Sequence, residues 1–243
     1  VVAYVRGDIG TNVVLEVLHK NDSKTTKIKI TRAKVEIPIL DTEIKGDVFV
    51  IHFYSFTEDS ASKFQEALKK FSDSGKSRLI VDLRGNGGGY LDSAINIASF
   101  FLPKDKLIVS EKNSKLGDGK KHYSLGYDFF NHNVLKLGVL IDGGSASASE
   151  ILAGALKDNG VATIIGEKSF GKGSVQQLIK LSDGSDLKVT VAKWFTPNGI
   201  NISESGINPD AVATSSEVTK LDTAGKLIDE QLNKAVDVVS KMK

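Results

Sequence analysis

Three short apolar runs each end abruptly in small, flexible residues, two of them restarting as helix, and this punctuation limits the chain to few folds. Leu79-Ile80-Val81 runs into Asp82-Leu83-Arg84-Gly85-Asn86-Gly87-Gly88-Gly89. A stripe of Leu91, Ala94, Ile95, Ala98 and Phe101 then follows at helical spacing. The strand predicted over 137–142 runs into Gly143-Gly144-Ser145-Ala146-Ser147-Ala148-Ser149, with a helix expected over 148–158. The strand predicted over 161–166 leads to Ser169-Phe170-Gly171-Lys172-Gly173-Ser174. A run of four to eight apolar residues bounded by glycine is what a strand covered on both faces looks like. Alternation of such strands with helices predicts βαβ units on a parallel sheet, an α/β fold.

The rest of the chain fits around that core. Residues 47–53 read as a strand, and Phe64, Ala67, Leu68 and Phe71 share one face of a helix over 58–71. Residues 107–110 form a further strand. The polar, glycine-containing stretch 113–133 is expected to be irregular. Residues 177–181 and 187–194 flank Asp183-Gly184 and predict a hairpin. Leu227, Ile228, Leu232, Ala235, Val236 and Val239 predict an amphipathic C-terminal helix. Before Pro38 the grammar differs. Val13, Leu15 and Val17 alternate with their neighbours, Lys27-Ile28-Lys29-Ile30-Thr31 alternates again, and a polar turn links them. Two or three strands with no evident core of their own read as the end of a small domain. The chain begins Val1-Val2-Ala3-Tyr4, with neither an initiator methionine nor a signal peptide, and is read as trimmed.

Composition removes several chemistries. The 243 residues contain no cysteine, which excludes thiol nucleophiles, disulfides and cysteine-based zinc sites. Thirty-two Lys and Arg against 30 Asp and Glu leave +2, which gives nucleic acid no electrostatic footing as main partner. No apolar run is long enough to span a bilayer. No His, Asp and Glu cluster has metal-ligand spacing.

Four glycines in the five positions 85–89 exceed what one turn requires. Phosphate binding is the first reading, but the Gly-Lys-Ser/Thr ending of a P-loop is missing. Three alternating serines exceed what a helix cap requires. A serine at a strand-to-helix corner presents its hydroxyl beside a helix N-terminus that favours negative charge, as a nucleophile needs. The plain alternative is a serine-rich cap. A lysine between two glycines has room to turn inward, where burial lowers the pKa of its amine and fits it for general-base work. The plain alternative is a solvated surface cation. His19, His52, His122 and His132 all lie outside the glycine-rich corners, so a Ser-His-Asp arrangement finds no base. Ser147 with Lys172 is the remaining nucleophile–base pair.

Together with Thr196-Pro197-Asn198-Gly199 and Gly206-Ile207-Asn208-Pro209-Asp210, these three segments resemble the C-terminal processing peptidases, also called tail-specific proteases. The resemblance covers nearly the whole chain. It implies a core like that of the Clp-protease and crotonase folds over 35–243, the end of a PDZ domain over 1–34, and a C-terminal helix. It implies Ser147 as nucleophile, Lys172 as general base and Gln176 as the residue that orients the lysine. It further implies an oxyanion hole from the backbone N–H groups of Gly88 and Ala148. The implied activity is serine endopeptidase cleavage near polypeptide C-termini, without metal or cofactor, in an extracytoplasmic compartment. The partners are polypeptide C-termini rather than nucleic acid or membrane. Oligomeric state is left open. The rival readings are a catalytically silent peptide-binding module on the same fold and an inactive piece lacking the PDZ groove. Arg84 is expected to brace the glycine-rich loop, and Asp158 to be a helix-end charge.

Overall fold

The computed structural model describes residues 2–19, 22–34, 38–113, 117–127, 129–130, 135–214 and 228–242. The chain forms two compact units, Val1–Pro38 and Ile39–Lys243.

In the first unit a single helical turn, α1 (Val2–Val5), precedes an antiparallel hairpin of β1 (Asn12–Val17) and β2 (Thr26–Thr31). Val13, Leu15 and Val17 are half-buried and their neighbours exposed, as the alternation predicts. The strand alternation of this unit does not signal the helical turn at residues 2–5. Arg32 explains it: Nε donates to Val5 O at 2.8 Å and Nη2 to Tyr4 O at 3.2 Å, while Nη1 donates to Thr11 Oγ1 at 2.8 Å. A cation on the last carbonyls stabilises a turn too short to persist alone. No described side chain in this unit is fully buried.

The second unit runs β3 (Leu40–Lys45), β4 (Val48–Phe53), α2 (Ser60–Asp73), β5 (Arg78–Asp82), α3 (Leu91–Ala98), β6 (Leu107–Asn113), β7 (Gly117–Tyr123), β8 (Lys136–Ile141), α4 (Ala148–Asp158), β9 (Thr163–Gly166), β10 (Ser174–Lys180), β11 (Asp186–Phe195), α5 (Ile202–Ser205), β12 (Ala211–Val212) and α6 (Glu230–Ser240). Six strands make the main sheet in the order β12-β9-β8-β5-β4-β3, all parallel except the edge strand β3. The α/β core expected after Pro38 is therefore present.

Odd and even positions of the central strands feed different cores. Phe49, Ile51, Phe53, Leu79 and Val81 pack with α2, α3 and α4 on one face. Phe64 of α2 lies 5.5 Å from Phe53 and 6.0 Å from Phe101, ring centre to ring centre. Truncating it to alanine costs about 3–5 kcal/mol. Val48, Val50, Ile80, Leu140 and Ile165 face the other way, under Leu232, Ala235 and Val239 of α6. The predicted Leu227 lies outside the described residues, and Ile228 precedes the helix.

A four-stranded antiparallel sheet, β10-β11-β6-β7, carries the predicted hairpin. Strand β7 corrects the expectation of an irregular 113–133. Its polar sequence hides the pairing, and Gly119 permits it: a Cβ there would stand 2.3 Å from Glu111 O on β6. His122 anchors the strand with Nε2 2.9 Å from Glu111 Oε1 and its ring 5.9 Å from that of Trp194. His132 lies outside the described residues.

Candidate active site

β5, β8 and β9 are adjacent and parallel, so their carboxyl ends emerge at one edge of the sheet. The glycine-rich loop, the serine corner and the lysine loop are the segments that leave those ends. Sheet topology alone thus gathers three motifs far apart in sequence, at the edge where open α/β sheets bind ligands.

Hydrogen bonds then lock the first two together. Ser145 Oγ donates to Leu83 O and Ser149 Oγ to Asn86 O, both at 2.8 Å. Asp142 Oδ1 accepts from Gly85 N and Gly144 N, both at 2.9 Å. Both outer serines are fully buried, and only Ser147 of the three is partly open to solvent. The three alternating serines therefore divide into two stitches and one candidate nucleophile.

Ser147 is held at φ 56° and ψ −113°. Among the described non-glycine residues only Asp105 shares a positive φ. A side chain in this region costs about 1–3 kcal/mol and persists only where the surroundings impose it. The sharp corner after β8 lifts the serine onto the N-terminus of α4, the geometry of a nucleophile elbow.

The residue that fixes this corner is Glu150, whose carboxylate is wholly buried. Oε2 accepts from Ser147 N at 2.8 Å and from Lys172 N at 2.9 Å. Oε1 accepts from Gly171 N at 2.7 Å and from Ser169 Oγ at 2.6 Å. One carboxylate thus ties the main chain of the candidate nucleophile to the main chain of the candidate base. Four donors satisfy a charge that would otherwise be costly to bury. Sequence alone does not single out Glu150, because an acidic residue in a helix's first turn is an ordinary dipole partner.

The lysine side chain departs from expectation. Lys172 is exposed, and its amine makes no hydrogen bond to Ser147. The loop backbone explains this. A Cβ on Gly173 would meet Ser203 N at 2.3 Å, and one on Gly171 would meet Ile202 O at 3.5 Å. Gly173 serves backbone packing against α5, Gly171 supplies a positive φ of 87°, and the lysine between them lies on the solvent side. Gln176 is also exposed, on β10 directly after a register shift between Val175 and Gln176. The structure brings Ser147 and Lys172 together through their backbones. Among the described residues it gives Gln176 no side-chain hydrogen bond.

Gly88 and Ala148 do meet. A Cβ on Gly88 would lie 2.8 Å from Ala148 N, 2.6 Å from Ala146 O and 2.9 Å from Ser147 Cβ. The Ala148 N–H has no acceptor among the described residues, as the first N–H of a helix does not. The Gly88 N–H donates to Asn86 Oδ1 at 2.9 Å. Asn86 is fully buried and its Nδ2 donates to Phe53 O at 2.8 Å.

A polar network braces the loop from below. Asp82 receives both Nε and Nη2 of Arg84, at 2.9 and 2.7 Å. Arg84 also pairs with Asp229, the N-cap of α6, at 2.9 and 2.7 Å. Burial works against the Asp82 carboxylate, but hydrogen bonds from His52 and Arg84 outweigh it and hold its pKa below the ordinary aspartate value. Both ring nitrogens of His52 face carboxylates, Asp82 at 3.0 Å and Glu43 at 2.9 Å, so neither is open to Ser147. Asp158 Oδ2 accepts from Asn198 N at 2.8 Å and ties the end of α4 to the turn of residues 196–199.

Residues 47–213 match the model of Peptidase family S41. A probable CtpA-like serine protease of Staphylococcus haemolyticus (strain JCSC1435) is 37% identical over 218 residues, which cover 89% of this chain and 43% of that protein. The carboxy-terminal processing protease CtpB of Bacillus subtilis (strain 168) is 37% identical over 211 residues, 84% of this chain and 43% of that protein. Among solved structures, the photosystem II D1 C-terminal processing protease superposes with a TM-score of 0.72 at 30% identity, covering 90% of this chain and 59% of that one. The chain spans less than half the length of these two curated relatives.

Proposed function

The chain belongs to peptidase family S41, and we propose that it is a serine endopeptidase that cleaves polypeptides near their C-termini with Ser147 as nucleophile and Lys172 as general base. The observation that carries this is the shared acceptor: Glu150 Oε2 binds the backbone N–H of both residues. Catalysis requires the Lys172 side chain to turn inward from its exposed position until the neutral amine meets the Ser147 hydroxyl. Loss of water around the amine then favours its neutral form. Ser147 Oγ attacks the peptide carbonyl carbon while its proton passes to Lys172. The oxyanion forms against the Ala148 N–H and a second N–H of the glycine-rich loop. For Gly88 to be that donor, its bond to Asn86 must open. Each such donor contributes about 3–4 kcal/mol. The Lys172 ammonium protonates the leaving amine as the C–N bond breaks, and water hydrolyses the acyl-enzyme. Gln176 orients Lys172 once the lysine has turned.

Similarity to carboxy-terminal processing proteases supports C-terminal processing as the substrate preference. We further read residues 1–34 as the end of a PDZ domain and 35–243 as the catalytic core, working in an extracytoplasmic compartment. No helix among the described residues is long and apolar enough to cross a membrane.

The exposed Lys172 side chain favours one rival, a catalytically silent peptide-binding module. A labelled peptide with an apolar C-terminus separates the two. The wild type is expected to cleave it, and Ser147→Ala and Lys172→Ala each to lose about 10⁴-fold or more in kcat/KM with unchanged circular dichroism. Cleavage by Ser147→Ala at the wild-type rate would refute the assignment, and binding without cleavage by all three proteins would establish the module.

A further inference from the structure

His52 ends the row Val48, Val50, His52 on the sheet face that α6 covers, and it is the polar terminus of that smaller core. Its ring lies between two carboxylates, with Nδ1 3.0 Å from Asp82 Oδ2 and Nε2 2.9 Å from Glu43 Oε1. A neutral imidazole has one N–H, so one of these contacts would set a ring lone pair against a carboxylate oxygen. Only the imidazolium donates to both.

The network continues from there into the site. Asp82 Oδ1 accepts from the backbone N–H of Arg84 at 3.1 Å as well as from its guanidinium. Arg84 reaches Asp229 and, at 3.1 Å, Gln231 Oε1. Gln231 Nε2 donates to Ala213 O at 2.7 Å. In space the row reads Glu43, His52, Asp82, Arg84, Asp229, and its charges alternate only while His52 is protonated. Arg84 precedes Asn86 by two positions, and Asn86 holds Gly88. The other charged or titratable groups on this side are Asp41, paired across β3 with His52, and Tyr54, whose hydroxyl donates to Asp41 Oδ2 at 3.5 Å. Lys45 on β3 is engaged by Asn233 Oδ1 at 3.5 Å. The groups nearest the ring are therefore anionic.

We propose that His52, as the imidazolium, is a positioning residue for the glycine-rich loop, and that loss of its proton slackens the Asp82–Arg84 brace and with it the Gly88 corner. The effect on turnover rests on the reading of that loop as the oxyanion-binding element; the effect on the loop itself does not. The hydrogen bond to Asp82, reinforced by Glu43, outweighs burial and holds His52 above the ordinary imidazole range. The ring is thus charged at pH 6.5 and neutralises only at higher pH.

Two measurements on the full chain test this. In an NMR titration of labelled protein, the His52 ring resonance is expected to move with a midpoint above that of a free histidine. The amides of Gly85, Gly87, Gly88 and Gly89 are expected to move with the same midpoint. Loop amides that ignore the His52 titration would overturn the proposal, whether or not the protein cleaves peptides. The second measurement is the pH profile of peptide cleavage for wild type, His52→Gln and His52→Lys. The need for a neutral Lys172 is common to all three and cancels in their ratios. His52→Gln is expected to lose about tenfold in kcat near pH 6, with KM little changed, and to approach the wild type as pH rises. His52→Lys, with a charge that persists, is expected to keep wild-type kcat near pH 6 and to exceed the wild type on the alkaline side. A His52→Gln profile parallel to the wild type at every pH would also overturn it. A wild type that cleaves nothing but whose loop tracks His52 would refute the peptidase reading and leave the positioning role standing.

Discussion

Glu150 accepts the backbone N–H of Lys172 with the same oxygen, Oε2, that accepts the N–H of Ser147, at 2.9 and 2.8 Å. All four partners of this carboxylate are donors, so charge is what the site is built for. Glu150→Gln replaces one acceptor oxygen by an NH2 group that points at two donors. The expected result is a loss of about 2–4 kcal/mol in stability, from unsatisfied buried N–H groups. The expected fall in kcat is at least a hundredfold, because the corner and the lysine loop lose their common anchor. Urea denaturation and peptide cleavage on the same preparation check both. A destabilised variant with wild-type kcat would mean that the anchor serves folding alone.

Gly88 combines a φ of 95° with the absence of space for a Cβ. Its backbone must lie against Ala146 O and Ala148 N for the glycine-rich loop to reach the serine corner. Gly88→Ala is expected to push the loop off the corner, lowering stability by about 1–3 kcal/mol and peptidase activity by more than a hundredfold. Gly85→Ala is the comparison. It also has positive φ, at 66°, but open space around the Cβ position, so its cost is expected to be in stability alone. Equal activity losses in the two variants would argue that backbone strain, rather than approach to Ala148, is what matters.

The positions where sequence was informative share one property: local residues decided them. The 3.6-residue stripe of α2 and the Asp-Gly turn of the hairpin at residues 183–184 needed no distant partner to be recognised. The same holds for α4, which occupies residues 148–158 as predicted. Strand β3 is not legible in sequence because Asp41, Glu43 and Lys45 break its apolar pattern, and they do so because the strand is a sheet edge. Strand β7 is hidden because its pairing depends on a missing Cβ at Gly119, which no pattern shows. In the candidate site, glycine and serine runs marked the corner. They could not show that two serines are stitches, or that a buried Glu150 supplies the anchor. The direction of the Lys172 side chain is not legible in sequence for the same reason. Small neighbours leave room, but packing against α5 determines which way the room lies.

Ser147 stores strain that its function would explain. A glycine at φ 56° has no such penalty, while an alanine retains it and loses the hydroxyl. Ser147→Gly is therefore expected to melt higher than Ser147→Ala, by the equivalent of about 1 kcal/mol, with both variants inactive. Calorimetry on the pair isolates backbone strain, since neither has a hydroxyl. Glycine also costs about 0.4–1 kcal/mol through the entropy of the unfolded chain, so a Ser147→Gly variant that melts below Ser147→Ala by that amount would mean that the positive φ is imposed at no cost.

Asp229 links the brace of the glycine-rich loop to the start of α6, where its side chain also accepts from Leu232 N at 2.9 Å. Burial disfavours its charge, but Arg84 and the Leu232 N–H prevail and hold its pKa below the ordinary value of 3.8. A depressed folded value means that the stabilisation is fully present above pH 3.8 and is lost as pH falls through the folded pKa. Asp229→Asn keeps the shape and removes the charge. At pH 7 it is expected to be less stable by about 1 kcal/mol, a modest figure because solvent partly screens the pair. The difference is expected to shrink towards zero well below pH 3.8, where the wild-type carboxylate is also neutral. Asp82 lies deeper and titrates in both proteins, so it lowers both curves without separating them. Urea midpoints for the two proteins from pH 2.5 to 7 give the comparison. A gap of constant size across that range would show that Asp229 acts by hydrogen-bond geometry rather than by charge.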